Sequence, residues 1–251
     1  SQMYPHLKIT VNDLYEPLMN FWSNLQMFGG ELYTELKNLK IAHCNQDSAR
    51  CLFAEMKDII NDSKFTNLER AVAFYVVNKC SFSGLTESSS FSAQASDSNF
   101  SMRGIEKLPE YSEIISHWHI NQYSYEYCFR TDVHDGLFMY LDPPYDIKDN
   151  LYGKKGAMHK SFDHDQFSKD CDNCEINMMI SYNSDQLVKE RFNNWKASEF
   201  DLTYTMRSVG EYMREQKERK ELILMNYGPK IKPTFEGCYN YDKLKKEGLV
   251  E

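Results

Sequence analysis

The apolar run Gly136-Leu137-Phe138-Met139-Tyr140-Leu141 ends abruptly in Asp142-Pro143-Pro144-Tyr145, and this junction constrains the fold more than any other stretch. With the polar segment 132–135 upstream, the run reads as a buried strand of the kind used in parallel sheets. A proline cannot donate to a ladder and forces its predecessor into an extended conformation, so two in succession stop the sheet. A carboxylate, a proline carbonyl and an aromatic ring then stand at the carboxyl end of a central strand, where open α/β sheets place their ligand crevices. Asp142 and the Pro143 carbonyl are two acceptors for the two N–H groups of an exocyclic amine on a nucleobase. They favour a pyramidal nitrogen with its lone pair aimed at a methyl donor. Tyr145 can stack on a base flipped from a duplex. Positioning and electrostatics carry such chemistry with no covalent intermediate and no metal. On the tetrapeptide alone, a strand-terminating turn accounts for the residues equally well.

The Leu141–Tyr145 motif resembles the catalytic motif of amino methyltransferases that use S-adenosylmethionine, and its leading Asp resembles the N6-adenine branch. Weaker motifs follow in the order of the Dam-like (D12 class) DNA adenine N6-methyltransferases, and the resemblance covers most of residues 7–230. It implies an α/β, Rossmann-like class I fold: a mostly parallel seven-stranded sheet with a helical, loop-rich recognition insert. It places the catalytic domain at 1–50 and 111–251 and the target-recognition insert at 51–110. Asp142, Pro143, Pro144 and Tyr145 are the expected catalytic residues.

Leu7–Asp13 alternates apolar and polar residues and reads as a strand ending in an acid. Asp13 sits where nucleotide-binding sheets accept from ribose hydroxyls; capping of the next helix is the alternative. That helix carries Leu14, Leu18, Phe21, Trp22 and Leu25 on one face, with Pro17 in its first turn. By resemblance Asp13 and Leu14 contact the cofactor. The family's glycine-rich cofactor loop should precede this strand, whereas the first glycines here are Gly29-Gly30, which read as a helix end. The expectation is a native chain that extends upstream and supplies the first strand of the sheet.

Residues 31–80 read as helical, with a capping box at Thr66–Glu69 opening an almost wholly apolar, buried helix. Asn78–Leu85 resembles the start of the family's DNA-recognition part. There Lys79, Phe82 and Ser83 are expected DNA contacts; a solvated lysine and a core phenylalanine are the plainer alternative. Glu87 falls where the relatives place a base-reading arginine. The serine-rich stretch 88–101 reads as a mobile loop or weak hairpin, with Phe91 or Phe100 available to a groove, and Arg103 follows as a phosphate contact. Residues 109–118 read as a helix and 123–129 as a strand. The resemblance puts Cys128 and Phe129 at that strand's end, beside the cofactor.

Beyond the catalytic motif, 146–161 is polar and locally basic, and Lys160 is a candidate DNA contact. A helix from Phe162 capped by Asp163, a strand at 176–183, an amphipathic helix at 184–195 and strands at 200–208 and 221–227 follow. Two adjacent antiparallel strands close the class I sheet, and the resemblance makes Arg207 and Lys220 DNA contacts at that joint.

Composition narrows the setting. No run of about 18 apolar residues exists to span a membrane, and the first residues do not read as a signal peptide. Seven scattered cysteines suit reduced thiols in an intracellular, cytoplasmic protein, and the resemblance implies double-stranded DNA as its partner. Cys171–Cys174 is a single CxxC with no second half, so no metal is expected. The net charge of −8 opposes non-specific binding by bulk charge but allows a local basic groove. Two other readings remain at this stage: an amino methyltransferase acting on RNA or cytosine N4, and a catalytically silent DNA-binding relative.

Overall fold

The computed structural model describes residues 3–134, 136–145, 162–201 and 220–228. These form two compact units, one holding the described residues up to Arg130 and the other those from Thr131 onward.

The first unit is helical with a small sheet. Strand β1 (Thr10–Asn12) leads to α1 (Glu16–Met27), α2 (Gly29–Ala42), α3 (Gln46–Ile59) and α4 (Asn67–Cys80). Short helices α5 (Ala93–Ser98) and α6 (Met102–Ile105) precede α7 (Leu108–Ile115), β2 (His119–Asn121) and α8 (Tyr125–Cys128). Helix α4 is the axis of this unit. Ala71 to Val77 and Cys80 are all buried, as the continuous apolar stretch 71–77, which covers every side of the helix, requires. Phe21 and Leu25 of α1, Leu32 and Leu36 of α2 and Leu52, Phe53 and Met56 of α3 complete the core around it. The expected capping box opens α4: Glu69 N donates to Thr66 Oγ1 at 3.2 Å and Thr66 N to Glu69 Oε2 at 2.7 Å. A second box, Asn45 with Ser48, opens α3. Strands β1 and β2 pair in parallel, Thr10 beside His119 and Asn12 beside Asn121.

The second unit is a four-stranded sheet of order β3-β4-β6-β5. Strand β3 is Phe138–Leu141, β4 Asn177–Asn183, β5 Lys196–Asp201 and β6 Lys220–Met225. β3 and β4 are parallel, while β6 runs antiparallel to both β4 and β5. The closing antiparallel pair is the one that the resemblance implies. Helices α9 (His164–Asp172) and α10 (Gln186–Arg191) cover the face carrying Met178, Ile180 and Tyr182, through Phe167, Val188 and Phe192.

Several sequence expectations change. The described residues hold six strands in two sheets, not a seven-stranded sheet. β3 is an edge strand among them, so Phe138 and Tyr140 are exposed rather than buried. Residues 125–128 are helical, because Ser124 in an extended conformation starts a turn there, and the strand is the earlier His119–Asn121. Gly29-Gly30 opens α2 rather than ending a helix. A Cβ on Gly29 would stand 2.5 Å from Ser112 Oγ and 2.6 Å from its Cβ, so α2 can approach α7 only with glycine at that position. The serine-rich stretch is ordered by its serines: Ser92 caps α5 and Ser101 caps α6. Phe100 between them is fully buried. β5 starts at Lys196 and α10 ends at Arg191, both earlier than the pattern suggests.

Gly29→Ala should destabilise the protein by about 1–3 kcal/mol, the usual range for overpacking. In a urea-denaturation cycle with Ser112→Gly, the double variant should be more stable than the sum of the singles. Strict additivity would mean that α2 and α7 do not meet at this point. Thiols provide a second check. Burial pushes Cys80 up to about 12 and Cys171 well above the usual thiol range, while Cys44 and Cys51 are exposed. At pH 8 a thiol reagent, mapped by peptide mass, should label Cys44 and Cys51 fast and the buried pair only on unfolding. Because the fold favours the protonated buried thiols, their contribution to stability is complete below the ordinary thiol range. It should be lost as pH rises towards 12, seen as a falling melting temperature.

Candidate active site

The parallel register aligns Leu141 with Ile180, so the next position brings Asp142 beside Ser181. Ser181 Oγ donates to Asp142 Oδ1 at 2.9 Å, and Tyr140 Oη donates to Ser181 Oγ at 2.9 Å. Asp142 is exposed and Pro143 buried. The strand end is therefore anchored by an apolar ring while the carboxylate faces outward. Tyr145 is held at two points: its hydroxyl donates to Glu221 Oε2 at 2.7 Å, and its ring stacks on Tyr182 with centroids 6.3 Å apart. Glu221 is only 6% exposed, and a buried carboxylate needs such a donor. Tyr182 in turn bonds His164 Nδ1 through its hydroxyl. The motif thus presents a carboxylate, a proline carbonyl and a ring from a strand end whose polar atoms are tied to β4 and β6. Glu221 is a participant that sequence reading missed. Its place at the border of the charged stretch and the apolar run 222–225 was the available signal.

In the first unit, Asp13 closes β1 and its Oδ1 accepts from Tyr15 N at 2.7 Å, an Asx-type turn into α1. Leu14 lies ahead of α1 and is 58% exposed, so it is not part of the buried helix face. Cys128 and Phe129 are in and just after α8, not at the end of a strand. The residue beside Asn12 past the end of β2 is Tyr123. Asn12 Nδ2 donates to Tyr123 O at 2.8 Å, and Tyr123 N to Asn12 Oδ1 at 2.9 Å. The Tyr123 ring packs on Tyr127, centroids 4.2 Å apart, and both are exposed. An acid and an aromatic pair therefore stand at adjacent carboxyl ends of two parallel strands. The Tyr-x-x-x-Tyr spacing was the sequence signal for that pair.

Beyond α4, Phe82–Ser90 forms a closed loop. Phe82 N donates to Ser90 O at 3.0 Å and Ser92 N to Cys80 O at 2.9 Å, around a bridge between Ser81 and Phe91. Phe82 is 57% exposed in the turn Phe82–Gly84, which also carries the backbone of Ser83. Phe91 instead turns inward onto Phe53, centroids 5.7 Å apart. The groove contact expected of Phe91 or Phe100 is therefore not available. Thr86 has φ of +49°, costly for a β-branched residue. It is held by its N–H on Ser81 Oγ at 3.1 Å and by Tyr15 Oη at 3.4 Å from its hydroxyl. Glu87 accepts from Tyr15 Oη and Asn61 Nδ2, each at 3.0 Å. Burial first, with the Glu87 charge adding to it, pushes the Tyr15 phenol above its ordinary range.

Lys79 places its Nζ over the Tyr75 ring at 5.7 Å. Arg103 is exposed on α6, and Lys220 is exposed at the start of β6 in the second unit. Lys160 and Arg207 lie outside the described residues. No group of His, Cys, Asp and Glu that could hold a metal ion occurs among the described residues. No helix there is long and apolar enough to cross a membrane.

No curated protein matches this chain. The family model of the D12 class N6 adenine-specific DNA methyltransferases matches residues 3–206, most of the sequence and including the whole Asp142–Tyr145 motif. That extent, with the motif at the end of a parallel strand, shows that the chain belongs to the D12 class N6 adenine-specific DNA methyltransferase family.

Proposed function

We propose that this protein methylates adenine N6 at a specific short sequence in double-stranded DNA, using S-adenosylmethionine, and that it works inside the cell. The observation that carries the reading is the exposed Asp142 carboxylate at the carboxyl end of β3, directly followed by the Pro143 carbonyl. S-adenosylmethionine supplies an electrophilic methyl group on a sulfonium. Asp142 and the Pro143 carbonyl accept the two N6 hydrogens, which turns the nitrogen lone pair out of conjugation with the ring. As the new N–C bond forms, the methyl–sulfur bond of the sulfonium would break and a neutral thioether would leave, and the amine would lose one proton, for which the Asp142 carboxylate is the proposed acceptor. The Tyr145 ring, fixed by Glu221 and Tyr182, stacks on the extruded adenine. Pro144 keeps the segment extended.

The residues at the ends of β1 and β2 fit an adenosine. Asp13 accepts from ribose hydroxyls, with Leu14 beside it, and Tyr123 takes the purine-flanking role that the family resemblance gave to Cys128 and Phe129. Residues 51–110 serve as the target-recognition part within the methyltransferase fold. Phe82 is the most exposed aromatic there among the described residues, and Lys79, Ser83 and Arg103 are its proposed DNA contacts. Lys220, with Lys160 and Arg207, completes the proposed DNA contacts. The class I sheet with seven strands is the proposed complete fold; the antiparallel β6 between β4 and β5 supports it.

Labelled-methyl transfer to mixed-sequence duplex DNA, followed by digestion to nucleosides, should give N6-methyladenine. Asp142→Ala should lower turnover by about 10²–10³-fold, the scale for removing one preorganised electrostatic contact, while the protein remains folded. Normal turnover in that variant would remove Asp142 from the mechanism. Asp13→Asn separates cofactor contact from capping, because the amide oxygen still accepts from Tyr15 N. It should weaken S-adenosylmethionine binding in equilibrium dialysis by roughly tenfold, as for a hydrogen bond that loses its charge. The melting temperature should not move. Unchanged affinity would leave Asp13 as a helix-entry residue only.

A further inference from the structure

We propose that Ser181 is a positioning residue for methyl transfer. From β4 it fixes the Asp142 carboxylate in the orientation that accepts from the target amine, and Tyr140 holds Ser181 in turn. The inference rests on Asp142 being the acceptor for N6.

A strand end does not by itself decide which way an aspartate's oxygens face, since the carboxylate turns about a broad, roughly two-fold torsion. The sheet supplies what is missing. With Leu141 beside Ile180, the following pair is Asp142 and Ser181, and alternation along the strands puts Tyr140, Asp142 and Ser181 on one face. Ser181 is 9% exposed, so its hydroxyl must find a protein partner. A serine hydroxyl has one hydrogen and two lone pairs. Tyr140 Oη donates into one of those lone pairs at 2.9 Å, and the hydrogen goes to Asp142 Oδ1 at 2.9 Å. The two donations run in one direction, from Tyr140 through Ser181 to Asp142, and polarise each other. One lone pair of Oδ1 is thereby given to the sheet, and Oδ2 keeps both of its own to accept from substrate. A serine that merely satisfied itself in the sheet could bond any backbone carbonyl nearby. This one spends its single hydrogen on the carboxylate of the catalytic motif.

Ser181→Ala removes the donor and little volume. Its kcat for methyl transfer to mixed-sequence duplex DNA should fall about 10- to 100-fold, the effect of losing one hydrogen bond to a charged group. KM for the cofactor, duplex affinity by fluorescence anisotropy and melting temperature should stay at wild-type values. Ser181→Thr keeps the hydroxyl and should regain most of the rate, and Tyr140→Phe should lose less than Ser181→Ala. Wild-type kcat in Ser181→Ala beside an inactive Asp142→Ala overturns the inference and leaves the role of Asp142 standing. A fall in duplex affinity with unchanged kcat overturns it as well. If Ser181→Ala melts early, Tyr140→Phe decides. A lowered kcat at unchanged KM supports positioning, and an unchanged kcat overturns it. Normal turnover in Asp142→Ala sinks the functional reading and this inference together.

Discussion

The parallel register of β3 on β4 is the constraint on which the catalytic end of this chain depends. Leu141 lies beside Ile180, so the residue that leaves the ladder at the double proline is carried to the buried hydroxyl of Ser181. A slip of one residue would turn Asp142 to the opposite face of the sheet, towards α9 and α10. The register is secured from that same face. Met178, Ile180, Tyr182, Leu222 and Leu224 are all buried, and an apolar set of this size cannot be turned to solvent without losing several side chains' worth of burial. Helix packing on one face of the sheet thus fixes polar chemistry on the other.

The same sheet holds the second half of the motif. β6 enters antiparallel to β4 with Glu221 beside Asn183, and this brings a buried carboxylate under the Tyr145 hydroxyl. An aromatic side chain proposed to receive a base is best held against free rotation. Tethering its hydroxyl and stacking one face on Tyr182 limits that freedom before substrate arrives. Asp142 is thus tied to β4, and Tyr145 to both β4 and β6.

The first unit follows another logic, in which polar side chains order segments that their composition would leave loose. Ser92 and Ser101 cap short helices, Ser81 accepts the N–H of the strained Thr86, and Glu87 gathers Tyr15 and Asn61. Tyr15 is central to this arrangement. Its backbone N–H is taken by Asp13 at the end of β1, and its hydroxyl reaches Thr86 and Glu87 in the loop that displays Phe82. The strand end proposed for the cofactor and the loop proposed for DNA therefore share one residue, the first through its backbone and the second through its side chain.

The sequence by itself determined the elements whose signals are local. Asp142-Pro143-Pro144-Tyr145 ends a strand because proline cannot continue a ladder, and Thr66 with Glu69 opens a helix because their side chains satisfy its first N–H groups. The unbroken apolar run 71–77 likewise made α4 a core helix. Family membership was legible too, because the tetrapeptide and the order of the weaker motifs survive in one dimension. Only the tertiary structure decided what depends on partners far away in the chain. It replaced the strand at 123–129 with a helical turn, since pairing with β1 selects His119–Asn121 and the Asn12 lock on Tyr123 ends it. It turned Phe91 and Phe100 inward, left Phe138 and Tyr140 exposed on an edge strand, and made Gly29 a close-packing residue rather than a helix end. Ser181 and Glu221 entered the site the same way. Ser181 is an ordinary polar residue within an apolar stretch and Glu221 one at the border of another, and only the registers of β4 against β3 and of β6 against β4 bring them to the catalytic motif.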